Sequence, residues 1–281
     1  MIHPLSSYNF FFFNKIVDTL ITRKKKDSIL QHYWQLILVK VAANLRAEAS
    51  RNYLSYLWWI FDPLLNMLVF YFVFGFLLNR GTENFVAFLL TGLIPWLWFN
   101  KTISNSMMSI VQGKGLMMQV HLPKIILPTI VICQDAVKQM VVMILLLVFL
   151  LLYGITPSPC WVALPLLIFT QILLVAAFAY VVAAIVPFLP DLSYLVSAGL
   201  QMMMFGSGVF YSEDMIPAQY HRWFYMNPIA NLLHNYRDIF LNNHWPDFQA
   251  LLIIAGGSCI VILVMWLVLR RLDHIYPRVV S

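Results

Sequence analysis

Six long apolar runs dominate the sequence and restrict its fold more than any other feature. A helix needs roughly 20 apolar residues to cross the hydrocarbon core of a bilayer. Runs that meet this requirement lie at about 57–78, 85–106, 129–152, 161–186, 192–211 and 248–269. With 61% hydrophobic and 11% charged residues, the chain could not cover its apolar surface as a water-soluble domain. The sequence therefore predicts an all-α polytopic membrane protein with six transmembrane helices.

The distribution of lysine and arginine predicts the orientation of these spans. Thirteen of the 18 Lys and Arg residues lie before the first span, between the second and third, or after the sixth. The connections on the other side hold only Arg80, Arg222 and Arg237. Because positive charge is retained in the cytoplasm, both termini are predicted to be cytoplasmic. The net charge of +6 then reflects topology, and we do not interpret it as a nucleic-acid-binding signal.

The chain before the first span divides into two parts, a cytoplasmic arm (1–32) and a predicted amphipathic helix (33–52). This helix opens a membrane domain that extends to residue 270 and is followed by a cytoplasmic tail, 271–281. The residues that define the two faces of the helix are Trp34, Leu38, Val41, Leu45 and Arg51. Such a helix suits the inner-leaflet interface. Its task is either membrane anchoring alone or forming one wall of a groove for a partner protein.

Residues 112–123, here called the inter-span segment, interrupt the apolar sequence between the second and third spans. Gly113 and Gly115 break the incoming helix, and Pro123 can open the next one. The segment suits a short helix that lies across the ends of two spans and presents residues to a partner, although an ordinary interfacial loop is the alternative. The candidate contact residues are Gln112, Lys114, Leu116, Met117, Met118, His121 and Pro123.

Residues 212–247 are too apolar for an aqueous loop of their length. Short re-entrant helices that dip into the outer leaflet explain this composition better, because protein can shelter their backbone there. Asn227 and Pro228 mark the predicted turn between two such helices, Trp223 precedes it, and Arg237 with Asp238 is expected to cap the return. We therefore predict re-entrant helices immediately before the last span.

Asp135 and Lys138 are charged residues within the third predicted span. Their spacing of three places them on neighbouring positions of one helical face. They form either a neutralising pair or a polar contact that lines a pathway.

Motifs for catalysis and nucleotide binding are missing from the sequence. There is no GxxxxGK[ST] phosphate loop, no HExxH pair and no DxD pair, and the three cysteines have no paired spacing. We predict no catalytic residue, no metal site and no cofactor in this chain. Any use of ATP would have to occur on a partner.

Several motifs, in combination and in order, resemble the permease subunit of type-two ABC exporters, and most closely its polysaccharide branch. They are SYLWWIFDPLLNMLVFYFVFG (55–75), GLIPWLWF (92–99), VHLPKIILP (120–128), FLPDLSYLV (188–196) and NPIANLLHNYRDIF (227–240). The resemblance implies a homodimer in the bacterial inner membrane, bound to two separate ATPase subunits that hold ATP and Mg. It also implies a glycan substrate carried on undecaprenyl diphosphate, with O antigen as our choice. The inter-span segment would then contact the ATPase.

The resemblance further suggests that aromatic side chains line a path for the glycan. The candidates are Tyr71, Phe74, Phe210 and Tyr211, and ordinary packing between helices is the alternative. Three other functions stay open: export of capsule or teichoic acid, export of drugs or small lipids, and a membrane enzyme acting on lipid-linked sugars.

Overall fold

The computed structural model describes residues 29–51, 84–119 and 122–279, together with isolated positions between 57 and 73. The described residues form helices joined by turns and irregular connections, and include no strand. In chain order the α-helices are α1 (Ile29–Arg51), α2 (Phe85–Met107), α3 (Ser109–Gln112), α4 (Lys114–Gln119), α5 (Ile126–Leu152), α6 (Leu164–Ile185), α7 (Leu192–Gly206), α8 (His221–Tyr225), α9 (Pro228–Arg237), α10 (Phe248–Leu272) and α11 (Tyr276–Val279). Short 3₁₀ turns occupy Pro159–Ala163, Glu213–Met215 and Ala218–Tyr220, and a π-helical turn occupies Asp238–Asn242.

Four of the described helices are long and apolar enough to cross a membrane: α2, α5, α6 with the turn before it, and α10. They coincide with the predicted spans at about 85–106, 129–152, 161–186 and 248–269. The shortest of them, α2, has 23 residues, which corresponds to roughly 34 Å at 1.5 Å per residue. Most of the predicted span 57–78 lies outside the described residues.

Helix α7 is shorter than the fifth predicted span, which was expected to reach about residue 211. It contains 15 residues and ends at Gly206. Gly208 follows with a φ of +69°, and a Cβ there would lie 2.8 Å from Cζ of Phe224. Because glycine adopts positive φ without steric cost, Gly208 lets the chain turn closely beneath this ring. The helix therefore stops before the glycine.

The largest apolar cluster of the described residues joins α2, α5, α6 and α9. Trp96 and Phe99 of α2 are almost fully buried in it. A chain of hydrogen bonds crosses this core: the Tyr236 hydroxyl donates to Oε1 of Gln171 at 2.7 Å, and Nε2 of Gln171 donates to the Pro95 carbonyl at 2.9 Å. These bonds satisfy buried polar groups and fix α2, α6 and α9 relative to one another.

Helix α10 packs along α6 and leaves an apolar face uncovered within the chain. Leu252, Ile253 and Ile260 on this face are each exposed by more than half of their side-chain surface. Large exposed apolar faces mark contact with lipid or with other protein. This face therefore suits a helix embedded in a membrane.

The two ends of the bundle differ in composition. At the basic end, Arg270 and Arg271 lie in the last turn of α10. Asp273, just after α10, accepts a hydrogen bond from the Lys124 N–H, and the Tyr276 hydroxyl donates to the Ala184 carbonyl in the last turn of α6. At the opposite end, called the loop end, the Cys160 thiol donates to the Asn243 carbonyl at 3.3 Å and ties together two connections. The candidate functional residues fall into groups at these two ends.

Candidate functional site

The inter-span segment begins at Gln112, the last residue of α3, and continues through Gly113 into α4. The Gly113 N–H donates to the Ser109 carbonyl at 3.0 Å, and the Met117 N–H donates to the Gly113 carbonyl at 3.0 Å. A Cβ on Gly113 would lie 2.7 Å from both terminal methyl carbons of Leu127. Glycine at this position therefore allows the segment to pack directly against the start of α5.

Helix α4 turns two apolar side chains towards the bundle and one away from it. Leu116 and Met117 are half-buried, and both pack against an apolar cluster that includes Tyr276. Leu116 also contacts a second cluster around Leu122. Met118, in contrast, is 67% exposed. Met118 is therefore the apolar side chain of α4 best placed to contact another protein.

The other predicted contact residues of this segment differ in accessibility. Gln112 is exposed, whereas Lys114 and Pro123 are half-buried. His121 lies outside the described residues. The segment thus presents a mixed polar and apolar surface at the basic end.

Helix α1 lies beside the inter-span segment. Its Ile37 and Val41 side chains are buried in a cluster with Leu122 of the inter-span segment and with Ile126 and Ile130 at the start of α5. This contact explains why the helix stays attached to the bundle, since burial of apolar surface is the main favourable term in packing.

Only part of the predicted apolar face of α1 is buried against the bundle, and the rest is exposed. Val41 is buried and Leu45 is half-buried, but Trp34 and Leu38 are 55% and 40% exposed. The side chain of Arg51 lies outside the described residues. Between α1 and α4 lies a cavity of 470 Å³, lined by residues that include Lys40, Asn44, Gln112, Gly115, Leu116 and Gln119.

A polar network ties α1 to α5. Glu48 of α1 accepts hydrogen bonds from Nζ of Lys138 at 2.5 Å and from Nε2 of Gln134 at 3.1 Å. The Asn44 amide donates to Oε1 of Gln134 at 3.2 Å. Glu48 was not singled out in the sequence, because its partners are about 90 residues away along the chain.

The predicted ion pair within the third span is confirmed. Nζ of Lys138 lies 3.7 Å from Oδ1 of Asp135, and the Asn105 amide donates to Oδ2 of Asp135 at 2.9 Å. Both charged side chains are largely buried. Together with Lys101 and Gln112 they line a polar cavity of 640 Å³ between α1, α2 and α5. The two opposite charges therefore neutralise each other, and both side chains also face the polar cavity.

Two of the four candidate channel aromatics lie within the described residues. Phe210 is buried in the main core, with its ring centroid 5.7 Å from that of Phe205. The Tyr211 hydroxyl donates to the Phe205 carbonyl at 2.8 Å. Tyr71 and Phe74 lie outside the described residues. The lining role of all four stays a prediction.

Helix α9 begins at Pro228, after Asn227, as the sequence indicated. The Asn227 side chain accepts a hydrogen bond from the Ile229 N–H at 3.0 Å, and Pro228 occupies the first helical position. The Asn227 amide also donates to Oγ of Ser207 at 2.8 Å, which attaches α9 to the end of α7. Trp223, on the preceding α8, is 70% exposed.

Arg237, at the end of α9, is buried against α2. Its Nη2 donates to the Val209 carbonyl at 3.0 Å, and its Cζ lies 3.7 Å from the centroid of the Phe88 ring. This cation–π contact is stronger for a cation removed from water. The guanidinium fits because position 92 carries no side chain: a Cβ on Gly92 would lie 2.5 Å from Nη2.

We expect Gly92→Ala to displace Arg237 and to lower the free energy of unfolding by about 1–3 kcal/mol, the usual cost of overpacking. Gly257→Ala is the matched control, because it also lies within a long apolar helix and a Cβ there meets no atom within 4 Å. Thermal unfolding of the two purified variants in the same detergent measures the difference. Equal stability of the two proteins would contradict the proposed contact.

His234 joins α9 to the connection that follows α7. Its Nε2 lies 3.1 Å from Oδ2 of Asp238, and its Nδ1 lies 3.9 Å from Oε2 of Glu213. The hydrogen bond to Asp238 raises the pKa of His234, although partial burial opposes that effect. The Tyr225 ring contacts the imidazole edge to face. The loop end is thus fixed by both polar and aromatic contacts.

Comparison with known proteins places this arrangement in a family. The profile of the ABC-2 type transporter family matches residues 35–241, which include most of α1, the inter-span segment and α9. The chain is 28% identical to O-antigen export system permease protein RfbA of Klebsiella pneumoniae over 214 residues, covering 76% of this chain and 83% of that protein. It is 28% identical to RfbA of Myxococcus xanthus over 235 residues, covering 83% and 90%.

A shorter match extends the similarity to a second kind of polysaccharide transporter. Over 74 residues the chain is 32% identical to polysialic acid transport protein KpsM of Escherichia coli, which covers 26% of this chain and 29% of that protein. The family profile spans most of the chain, and the described helices include four that can cross a membrane. The chain therefore belongs to the ABC-2 type transporter family and is a multi-pass membrane permease.

Proposed function

We propose that this chain is the membrane subunit of an ATP-driven exporter that moves polysaccharide linked to undecaprenyl diphosphate across the bacterial inner membrane. O antigen is the proposed cargo. The observation that carries this proposal is the similarity to O-antigen export permeases over most of both chains. The structure supports the proposal, because the polar cavity lined by Asp135 and Lys138 lies between α1 and the long apolar helices α2 and α5, as expected of a membrane transporter.

The proposed topology has six spans with both termini in the cytoplasm. The basic end then faces the cytoplasm and the loop end faces the periplasm. Helix α1 lies in the inner-leaflet interface, where the exposed Trp34 meets the headgroups. Helices α8 and α9 form the re-entrant pair. The hydrogen bonds of Asn227 satisfy the backbone at the start of α9 and attach it to the end of α7.

Single cysteines test this orientation in a background whose native cysteines are replaced. We expect Lys114→Cys and Arg278→Cys to be blocked from an impermeant thiol reagent in intact cells, because both lie at the basic end. Thr82→Cys and Asn242→Cys are expected to react, and permeabilised cells serve as the control. Reaction at position 114 from outside intact cells would contradict the six-span topology.

We propose that two copies of the chain bind two ATPase subunits at the basic end. The chain has no phosphate-binding loop of its own, so ATP and Mg would be held by the partner. The inter-span segment offers the exposed Met118 within a mixed polar surface, and buried apolar anchors dominate the energy of such interfaces. The cavity between α1 and α4 would widen this surface into a groove.

The glycan would pass along the aromatic side chains proposed to line the path, Tyr71, Phe74, Phe210 and Tyr211. Aromatic rings attract the C–H-rich faces of sugars without holding any single unit tightly. A transported substrate must be bound well enough to enter and weakly enough to leave. Burial of Phe210 within one chain means that this ring would have to become accessible during transport.

Deletion of the chain in its native bacterium tests the proposed cargo. We expect O antigen to disappear from the cell surface and its carrier-linked form to accumulate inside, and the wild-type chain to restore export. The similarity to a polysialic acid transport protein favours a capsular polymer as the second candidate. Loss of a capsule with normal O antigen would therefore support that candidate and contradict the first.

A further inference from the structure

The chain beyond the last long helix contacts Lys124, the residue that directly follows the inter-span segment, through Asp273. Oδ1 of Asp273 accepts a hydrogen bond from the Lys124 N–H at 2.8 Å, and Oδ2 lies 3.6 Å from Nζ of Lys124. The Lys124 side chain is 3% exposed, and its Nζ also donates to the Leu122 carbonyl at 3.0 Å. Because hydrogen bonds to charged groups are stronger than neutral ones, Asp273 fixes the exit of the inter-span segment to the end of α10.

Tyr276 supplies a second attachment at the same end. It is fully buried, its hydroxyl donates to the Ala184 carbonyl at 3.0 Å, and its ring centroid lies 5.1 Å from that of Phe188. Leu116 and Met117 of α4 pack against the apolar cluster that contains Tyr276. One side chain near the C-terminus therefore contacts the end of α6 and the apolar cluster on which α4 rests.

Helix α4 needs such support, because it has only six residues and none of them is buried. Isolated helices of this length are unstable in water, so tertiary contacts must hold them. The contacts of α4 include α11, which contains Tyr276, and the cluster around that residue. The inter-span segment thus depends on residues far along the chain: Asp273 lies 149 positions after its partner Lys124.

We propose that residues 273–279 form a C-terminal brace, in which Asp273 and Tyr276 are positioning residues for the inter-span segment. The brace holds α4 in the orientation that presents Met118 outward, and it connects α4 to α6 and α10. Movement of a bound ATPase would then be passed to both long helices as well as to α5. This inference rests on the proposed docking of an ATPase at the inter-span segment.

A spin label at Met118→Cys, in the full-length permease in lipid nanodiscs, measures the order of α4 without any ATPase. We expect Tyr276→Ala and Asp273→Ala to increase the mobility of this label. A label at Asn242→Cys, at the loop end, should be unaffected. Pro277→Ala is the matched control, because Pro277 is exposed within the same brace. Tyr276→Phe retains the ring and should keep the label immobile.

The second measurement is the affinity of the same variants, without a label, for the ATPase subunit that co-purifies with the wild-type permease. We expect Tyr276→Ala and Asp273→Ala to weaken binding about tenfold, equivalent to about 1.4 kcal/mol, and Tyr276→Phe and Pro277→Ala to stay within about twofold of the wild-type affinity. Since Asp273 is only half-buried, its variant provides the test if Tyr276→Ala fails to fold.

The outcomes separate the brace from the docking proposal. Unchanged label mobility in folded Tyr276→Ala and Asp273→Ala proteins would overturn the brace, as would increased mobility with wild-type affinity. A different variant tests the docking proposal. If that proposal is wrong, Met118→Asp, in which the brace is intact, will bind the ATPase as tightly as the wild type.

Discussion

Met118→Asp is expected to abolish polysaccharide export while the permease still reaches the membrane. The Met118 side chain is 67% exposed, so an aspartate there meets water in the isolated chain and does not disturb the fold. In a docked complex the same carboxylate would be buried without a partner, and burying an unpaired charge costs several kcal/mol. We therefore expect the loss to arise in ATPase binding, measured by co-purification and by export at equal permease level.

Two variants of the same helix are controls for this prediction. Lys114→Ala removes a charge from a half-buried position and should retain most export, because a charge that stays partly solvated contributes little to interface energy. Leu116→Asp should instead reduce the amount of folded permease, because Leu116 packs against two internal clusters. Normal export and normal co-purification by Met118→Asp would contradict the role of α4 in docking.

Lys138→Gln is expected to lower the free energy of unfolding by about 3 kcal/mol, since removing one member of a buried ion pair leaves the other uncompensated. The carboxylate left behind is Asp135, whose side chain is 4% exposed. Glu48 would lose a partner too, but its side chain is 39% exposed and water can solvate it. Unfolding of the purified permease by SDS titration in mixed micelles measures the change.

The double variant Asp135→Asn/Lys138→Gln separates charge from shape at this site. It removes both charges of the pair and keeps side chains of similar size, so we expect it to recover more than half of the lost stability. An equal loss in the single and double variants would show that packing, and not the buried charge, determines the effect.

The long apolar helices could be predicted from the sequence because their signal is local. Twenty apolar residues in succession already specify a buried or membrane helix, and Phe85–Met107 was predicted within one residue of its observed ends. Pro228 after a capping Asn227 likewise marks a helix start through interactions that span only a few residues. Membership of the ABC-2 transporter family is confirmed by the profile match over residues 35–241.

The contacts that connect the helices could not be predicted, because they join residues far apart in the chain. Glu48 bonds to Lys138, and Asp273 bonds to Lys124, over separations of 90 and 149 residues. Periodicity assigned Trp34, Leu38 and Val41 to one face of α1, but it could not reveal that only Val41 of these three is buried against α5. Single-sequence patterns carry no information about which neighbour covers a given face.

The end of α7 shows how a local signal can be overridden. The apolar sequence continues past Gly206, so hydropathy alone predicted a span to about residue 211. The positive φ of Gly208 and the close approach of Phe224 turn the chain earlier. Three glycines near this point were visible in the sequence, but only the structure identifies the one at which the chain turns.

The central claim is that this permease moves a carrier-linked glycan in response to ATP hydrolysis by its partner. The most direct measurement uses proteoliposomes that contain the purified permease, its ATPase subunit and labelled undecaprenyl-diphosphate-linked O antigen. We expect ATP added outside to make the glycan resistant to an external glycosidase, and Met118→Asp to prevent this protection. Glycan that stays fully digestible while the wild-type complex hydrolyses ATP, or protection that arises equally without ATP, would contradict the proposed function.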